Sequence, residues 1–85
     1  MTKKGDYVRV ITDHYGKKNY NKVFRVEHVA HNESEHPGYD NGVGGELIDL
    51  YGLDSSLYEF EFEPSDYKEY LAQEKKNRKK TRVYA

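Results

Sequence analysis

Four side chains of metal-binding types follow one another over a short stretch of this 85-residue chain: His28, His31, His36 and Asp40. Imidazole and carboxylate ligands suit zinc or nickel. Three of the four fall in a glycine-rich segment, which does not hold ligands closely, and His28 falls on a strand pattern with Phe24 and Val26. The sequence therefore favours an exposed polar loop here, with no bound metal and no cofactor.

Aromatic and basic side chains interleave in a second segment, where Tyr15, Lys17, Lys18 and Tyr20 lie within six residues. Such a pattern suits nucleic acid, because rings stack on bases while lysines meet phosphates. A basic stretch near the C-terminus adds six more cations: Lys75, Lys76, Arg78, Lys79, Lys80 and Arg82. The same stretch also fits a solvated helix end, so both interpretations stay open.

Motifs of known catalytic mechanisms are missing from the sequence. The chain has no cysteine, no Gly-x-Ser-x-Gly and no glycine loop followed by lysine and serine or threonine. Glu59, Glu61 and Glu63 alternate along a predicted strand and are expected to face solvent. Nothing there would raise a carboxyl pKa for acid catalysis, so we expect the protein not to be an enzyme.

Charge is distributed unevenly along the chain. Residues 1–63 hold seven basic and twelve acidic residues, whereas residues 64–85 hold seven basic and three acidic ones. This mildly acidic body with a basic tail differs from a typical nucleic-acid-binding protein, whose positive charge is spread over one folded face. No apolar run approaches the roughly 20 residues of a membrane span, and no secretory signal follows Met1. We expect a cytoplasmic protein that does not contact a membrane.

Alternating apolar residues predict four strands, at residues 6–12, 22–30, 46–51 and 57–63. In the last of these, Tyr58, Phe60 and Phe62 are expected to point inward. Nine tyrosines and three phenylalanines are expected to fill most of the interior, because each ring buries a large area.

Turn-forming residues predict two long loops, at residues 13–21 and 31–45. Asn21 is the residue expected to adopt a left-handed conformation before the second strand. After the last strand, Ser65 is a candidate N-cap, and the spacing of Tyr67, Tyr70 and Leu71 predicts a short amphipathic helix.

The segments Gly5-Asp6-x-Val8-Arg9-Val10-Ile11 and Lys22-Val23-Phe24-x-Val26 resemble the first two strands of SH3-like barrels of the KOW type. Residues 57–61 resemble the closing strand of short SH3-like proteins encoded by phages and prophages. The KOW pattern has glycine where this chain has Asn21, which reaches the same backbone state at some cost. The resemblance implies a mainly β fold: a small SH3-like antiparallel β-barrel over residues 1–63, a short C-terminal α-helix over 64–74 and a basic tail over 75–85.

Two functions stay open on the sequence alone. The first is a non-catalytic protein–protein interaction module that uses the two loops. The side chains expected at its interface are Tyr15, Lys17, Lys18, Tyr20, His36, Tyr39 and Asp40. The resemblance to phage proteins implies a host or defence protein as the partner, including one that handles nucleic acid. The alternative is nucleic-acid binding through Lys17, Lys18 and the basic tail, and the oligomeric state is open in both cases.

Overall fold

Five short strands and one helix make up the chain. The computed structural model describes the backbone of residues 2–82 and the side chains of residues 2–76. The strands are β1 (Tyr7–Val10), β2 (Val23–Ala30), β3 (Leu47–Leu50), β4 (Leu53–Tyr58) and β5 (Phe62–Pro64). A 3-10 turn at Glu59–Glu61 separates β4 from β5, and helix α1 spans Tyr67–Arg82. The fold is mainly β, as predicted.

The strands form one antiparallel sheet in the order β4-β3-β2-β1-β5. Consecutive strands pair from β1 to β4, and β5 then returns to pair with β1, so that Val10 lies opposite Phe62. The register of the long strand β2 shifts between Val26 and His28. Such a bulge bends a strand, which allows β2 to pair with β1 through its first half and with β3 through its second. Strands β4 and β5 are the sheet edges, and in the described residues the sheet does not close into a barrel.

Aliphatic side chains, rather than rings, fill most of the interior. The buried cluster consists of Val8, Val10, Phe24, Val26, Ile48, Leu50, Leu57 and Phe62. The expectation of a core made mainly of aromatic rings is therefore wrong. Two of the three phenylalanines are inside, but the tyrosines up to Tyr70 lie at the rim, because a buried tyrosine hydroxyl needs a hydrogen-bond partner.

The strand predicted at residues 57–63 is the second error. Strand β4 ends at Tyr58 and the chain makes a 3-10 turn, so the two-residue alternation is interrupted. As a result Phe60 is 67% exposed, whereas Glu61 is only 9% exposed and Phe62 7%. One glutamate of the expected solvent-facing row therefore points inward, and one ring of the expected core points outward.

Asn21 has the left-handed backbone that the sequence predicted, with φ of 65°. Its amide donates to the carbonyl of Val10 at 2.7 Å, and its own carbonyl accepts from the Arg9 guanidinium at 2.7 Å. The residue thus closes the 13–21 loop onto the end of β1, and β2 begins two residues later.

Helix α1 starts at Tyr67, three residues after the predicted boundary at residue 64, and runs further than predicted. Asp66, rather than Ser65, caps it, since the Asp66 carboxylate accepts from the Glu69 amide at 2.9 Å. The Ser65 hydroxyl donates to the Glu69 carboxylate at 2.5 Å instead. That bond, together with a bond from Arg9, holds the pKa of Glu69 below its usual range. The helical backbone continues through Arg82, beyond the predicted end at residue 74.

The side chain of Gln73 attaches the helix to the sheet through two hydrogen bonds with the backbone of β2. Its side-chain amide donates to the Val23 carbonyl at 3.0 Å, and its carbonyl oxygen accepts from the Val23 amide at 2.7 Å. One turn earlier, Tyr70 packs on Tyr7 with ring centroids 5.0 Å apart. Leu71, predicted on the docking face, is exposed. The helix is therefore attached through its first two turns.

Across the described residues, α1 and every other helical segment fall short of the length and apolar character needed to cross a bilayer.

A pair of substitutions tests the observed facing of residues 57–62. We expect Leu57→Ala to lower the free energy of unfolding by about 2–5 kcal/mol, because Leu57 is fully buried. Phe60→Ala should change it by less than about 0.5 kcal/mol, as for most surface substitutions. Urea denaturation measures both changes. A loss of several kcal/mol for Phe60→Ala would contradict the exposed position of Phe60 and favour the predicted strand in which the ring points inward.

The Gln73 contact is tested by Gln73→Leu, which keeps the side-chain size but removes both hydrogen bonds. We expect a loss of roughly 1–3 kcal/mol in the free energy of unfolding, because the backbone amide and carbonyl of buried Val23 lose their partners. Lys75→Leu, at an exposed position of the same helix, is the matched control and should stay within about 0.5 kcal/mol. Equal effects of the two substitutions would show that Gln73 does not hold the helix.

Candidate functional site

The 31–45 loop is bound to the sheet, and histidines make much of the attachment. His28 Nε2 lies 3.3 Å from the carbonyl oxygen of Glu35. His31 Nδ1 lies 3.9 Å from Glu46 Oε2, an atom that is buried without a hydrogen-bond partner among the described residues. The loop therefore has a defined position against β2 and β3, although its sequence predicts no regular element.

His36 makes the most extensive contacts of this loop. Its Nε2 atom lies 3.3 Å from Asp49 Oδ2 and 3.2 Å from Ser56 Oγ, and the Ser56 hydroxyl also bonds Asp49. In a hydrolytic triad the histidine accepts the serine proton at one ring nitrogen and donates to the carboxylate from the other. Here Nδ1 accepts from the Gly38 amide at 2.8 Å, so Nε2 alone faces both partners. The arrangement fastens the loop and lacks the geometry that activates a serine.

Three rings form a continuous surface where this loop meets the 3-10 turn, and we call Tyr39, Tyr58 and Phe60 the aromatic face. The Tyr58 and Phe60 rings are stacked, with centroids 6.4 Å apart and an interplanar angle of 4°. The Tyr39 centroid lies 6.0 Å from that of Tyr58. The Tyr39 hydroxyl donates to the Gly45 carbonyl at 2.6 Å, and the Tyr58 hydroxyl accepts from the Asp40 amide. Both tyrosines are thus held in place, while Phe60 presents its ring to solvent.

Carboxylates border the aromatic face. Glu59 and Asp40 are exposed and adjoin Phe60 and Tyr39 in sequence. The Glu59 side chain lies over Gly45, where a Cβ atom would come within 2.7 Å of Glu59 Oε2. Gly45 also has a φ of 75°, so the backbone conformation favours glycine there, whereas the flexible Glu59 carboxylate would shift if a Cβ were added. This close approach brings the loop and the 3-10 turn into one surface.

Tyr15 is partly buried beneath the 3-10 turn, where it packs against the hydrophobic core. Its hydroxyl bonds Glu61 Oε1 at 2.8 Å and the Ser56 carbonyl at 3.1 Å, and Glu61 Oε1 also accepts from the Tyr58 amide at 3.1 Å. Burial, followed by the hydrogen bond and charge of Glu61, raises the pKa of Tyr15. The side chains of Tyr15 and Glu61 thus bind the backbone of edge strand β4.

The other predicted residues of the 13–21 loop line two open clefts. Lys17 and Tyr20 border the first, a cleft of about 580 Å³ that also contains Ile11. Lys18 borders the second, of about 410 Å³, together with Lys22 and the start of β4. Tyr20 is 56% exposed and Ile11 42%, so the first cleft has apolar walls with a cation at its rim.

The predicted interface residues therefore divide into separate groups. His36, Tyr39 and Asp40 meet at the 31–45 loop, whereas Lys17, Lys18 and Tyr20 lie at the 13–21 loop. Lys75 and Lys76 are exposed on α1; the side chains of Arg78, Lys79, Lys80 and Arg82 lie outside the described part of the chain. Tyr58 and Phe60 were predicted in the core, and Glu59 was predicted at the surface but not at an interface, because strict alternation is typical of a continuous strand.

The candidate metal ligands have different partners. His28, His31 and His36 contact Glu35, Glu46 and Asp49 respectively, while the Asp40 carboxylate accepts from the Gly42 amide. Within the described residues, no group of three or more His, Asp or Glu side chains has a geometry that would hold a metal ion.

In comparisons with known proteins, the chain matches no family model, no curated protein and no solved structure. Its function is therefore argued from the geometry of these surfaces.

Tyr15→Phe tests the buried hydroxyl through its pH dependence. At neutral pH we expect a loss of about 1 kcal/mol in the free energy of unfolding, the usual net value of a hydrogen bond. Because the folded state raises the pKa of Tyr15, the wild-type advantage is complete below pH of about 10, the ordinary pKa of tyrosine. It declines as pH rises further, since the unfolded chain ionises first.

Urea denaturation of both proteins between neutral and strongly alkaline pH measures this difference. Tyr20→Phe, at an exposed position, supplies the control. A wild-type advantage that stays constant above pH of about 10 would contradict the buried, Glu61-bonded phenol.

Proposed function

We propose that this chain is a non-catalytic binding module and that another protein binds its aromatic face. The observation that carries the proposal is Phe60, a phenylalanine two-thirds exposed and stacked on an anchored tyrosine. Leaving such a ring in water forfeits most of the roughly 1.5–3 kcal/mol available from its burial. A partner that covers the ring recovers this free energy.

The rigidity of the aromatic face supports binding rather than incidental exposure. Tyr39 and Tyr58 are each fixed by a hydroxyl bond to backbone, and His36 fastens the loop that carries Tyr39. Rings with few rotatable bonds that are already ordered lose little entropy on association. Clustered aromatic side chains of this kind often dominate protein–protein interfaces.

The carboxylates beside the rings favour a basic partner. Glu59 and Asp40 flank the aromatic face, and residues 1–63 together carry more acidic than basic residues. Complementary charge accelerates encounter and selects among partners. A lysine or arginine of the partner would find a ring face and a carboxylate side by side, which is a cation–π arrangement.

We further propose that the sheet is an open variant of the SH3-like barrel. The return of β5 to β1 supports this, because the first and last strands must meet when a small meander curls into a barrel. On the resemblance to short phage and prophage proteins, the proposed partner is a host or defence protein with a basic, nucleic-acid-handling surface. The aromatic face with its carboxylates would then bind the surface of the partner that otherwise binds nucleic acid.

Quantitative affinity capture with matched baits tests the proposed interface. Wild-type protein, Phe60→Ala and Tyr20→Ala are immobilised in equal amounts and incubated with nuclease-treated lysate, after which captured proteins are compared by mass spectrometry. We expect a partner that wild type and Tyr20→Ala retain equally and that Phe60→Ala loses by about tenfold or more, as for an interface hot spot. Titration calorimetry with the purified partner should reproduce this order.

Two results would contradict the proposal. One is a set of captured proteins that Phe60→Ala leaves unchanged. The other is capture that disappears whenever nuclease is added, because the contact would then run through nucleic acid. Since Phe60 and Tyr20 are both exposed rings, loss of folding is not expected in either variant, and circular dichroism verifies this.

A further inference from the structure

The direction of α1 brings two basic segments, distant in sequence, to one end of the molecule. Tyr70 of α1 contacts Tyr7 at the start of β1, Glu69 pairs with Arg9, and Gln73 bonds Val23, which lies opposite Arg9. The first turn of the helix therefore lies at β1, and its second turn reaches the first residue of β2. Strand β1 leads directly into the segment that carries Lys17, Lys18 and Tyr20.

Beyond Gln73 the helix continues past the last described contact with the sheet. At 1.5 Å per residue, the backbone from Glu74 to Arg82 extends roughly 13 Å further. Lys76 follows Gln73 by one turn, on the same side of the helix, and Lys22 immediately precedes Val23, which Gln73 holds. Lys17, Lys18, Lys22, Lys75 and Lys76 thus belong to one region, which we call the basic end.

A cleft with apolar walls lies in this region. Ile11, Lys17 and Tyr20 all line it, so a flat aromatic ligand would stack on Tyr20 while an attached anion met the lysine. Asp13 also lines the cleft, and Asp54 at the start of β4 and Glu74 of α1 are further acidic residues of this region. Lysines outnumber these carboxylates, and α1 carries four more basic residues in sequence up to Arg82.

We propose that the basic end binds single-stranded nucleic acid, with a base stacked on Tyr20 and the phosphates along the lysines. A single strand fits better than a duplex, because only an unpaired base can enter the cleft and stack. This ligand is separate from the protein partner of the aromatic face. The 31–45 loop leaves the far end of β2, whereas the basic end adjoins its first residue.

Fluorescence anisotropy with labelled oligonucleotides of about 16 residues tests the proposal on the full chain. Oligo-dT and oligo-rU distinguish DNA from RNA, and a duplex of equal length is the comparison. We expect binding of a single strand at about 50 mM salt that weakens steeply towards about 200 mM, because counterions are released from the phosphates. The duplex should bind more weakly.

Matched variants locate the surface. Lys17→Gln/Lys18→Gln should weaken binding by about tenfold and reduce the salt slope by about 1.4, from about 0.7 per lost phosphate contact on a single strand. Lys3→Gln/Lys4→Gln removes the same charge at the other end of β1 and should change affinity by less than about twofold. Tyr20→Ala should lose at least about fivefold with an unchanged salt slope, and Phe60→Ala should have no effect.

Three outcomes would overturn the proposal. These are no binding of any single strand at low salt, equal weakening by the two lysine pairs, and duplex binding as tight as that of the single strand. None of them bears on the aromatic face, whose partner is tested in the presence of nuclease.

Discussion

The aromatic face and the edge of β4 depend on one buried carboxylate. Glu61 accepts a hydrogen bond from the Tyr15 hydroxyl and another from the Tyr58 amide. Burying a glutamate carboxylate costs free energy unless its oxygens accept hydrogen bonds. These two hydrogen bonds offset that cost and so stabilise the 3-10 turn. Because the turn directs Glu61 inward, it directs Phe60 outward onto Tyr58. The same pair of side chains binds the edge of β4 at Ser56 and Tyr58, and so occupies backbone groups that an exposed edge would offer to other strands.

Tyrosine hydroxyls hold much of the irregular chain in this molecule. Tyr15 joins the start of one loop to β4 and the 3-10 turn, Tyr39 spans its own loop to Gly45, and Tyr58 receives the Asp40 amide. A domain of this size has few aliphatic side chains to bury. A ring that packs at the rim while its hydroxyl bonds a distant backbone group therefore contributes order where the core does not reach. This explains how a loop with four glycines and a proline keeps a defined position.

Local sequence patterns were sufficient to predict those elements in which buried and exposed residues alternate regularly. Strands β1, β2 and β3 and the left-handed Asn21 follow from alternation and turn chemistry. The 3-10 turn did not, because the bond that stabilises it joins Tyr15 and Glu61, which are 46 residues apart in sequence. No local pattern reports such a partner. The helix was predicted in the right part of the chain, but its start was placed too early and its end at residue 74 fell short of Arg82. Apolar periodicity ends at Ala72, whereas lysine, arginine and glutamate still favour helix by intrinsic propensity.

The near-zero net charge of −1 conceals two surfaces of opposite character. Glu59 and Asp40 border rings at one, and five lysines belong to the other, where Lys17 and Tyr20 line one cleft. Screening limits each field to about 8–10 Å at physiological salt, so charges at the two ends of β2, eight residues long, act largely independently. A ligand approaching either surface meets the local charge rather than the net charge. The overall composition therefore does not exclude binding a polyanion at one end and a basic protein at the other.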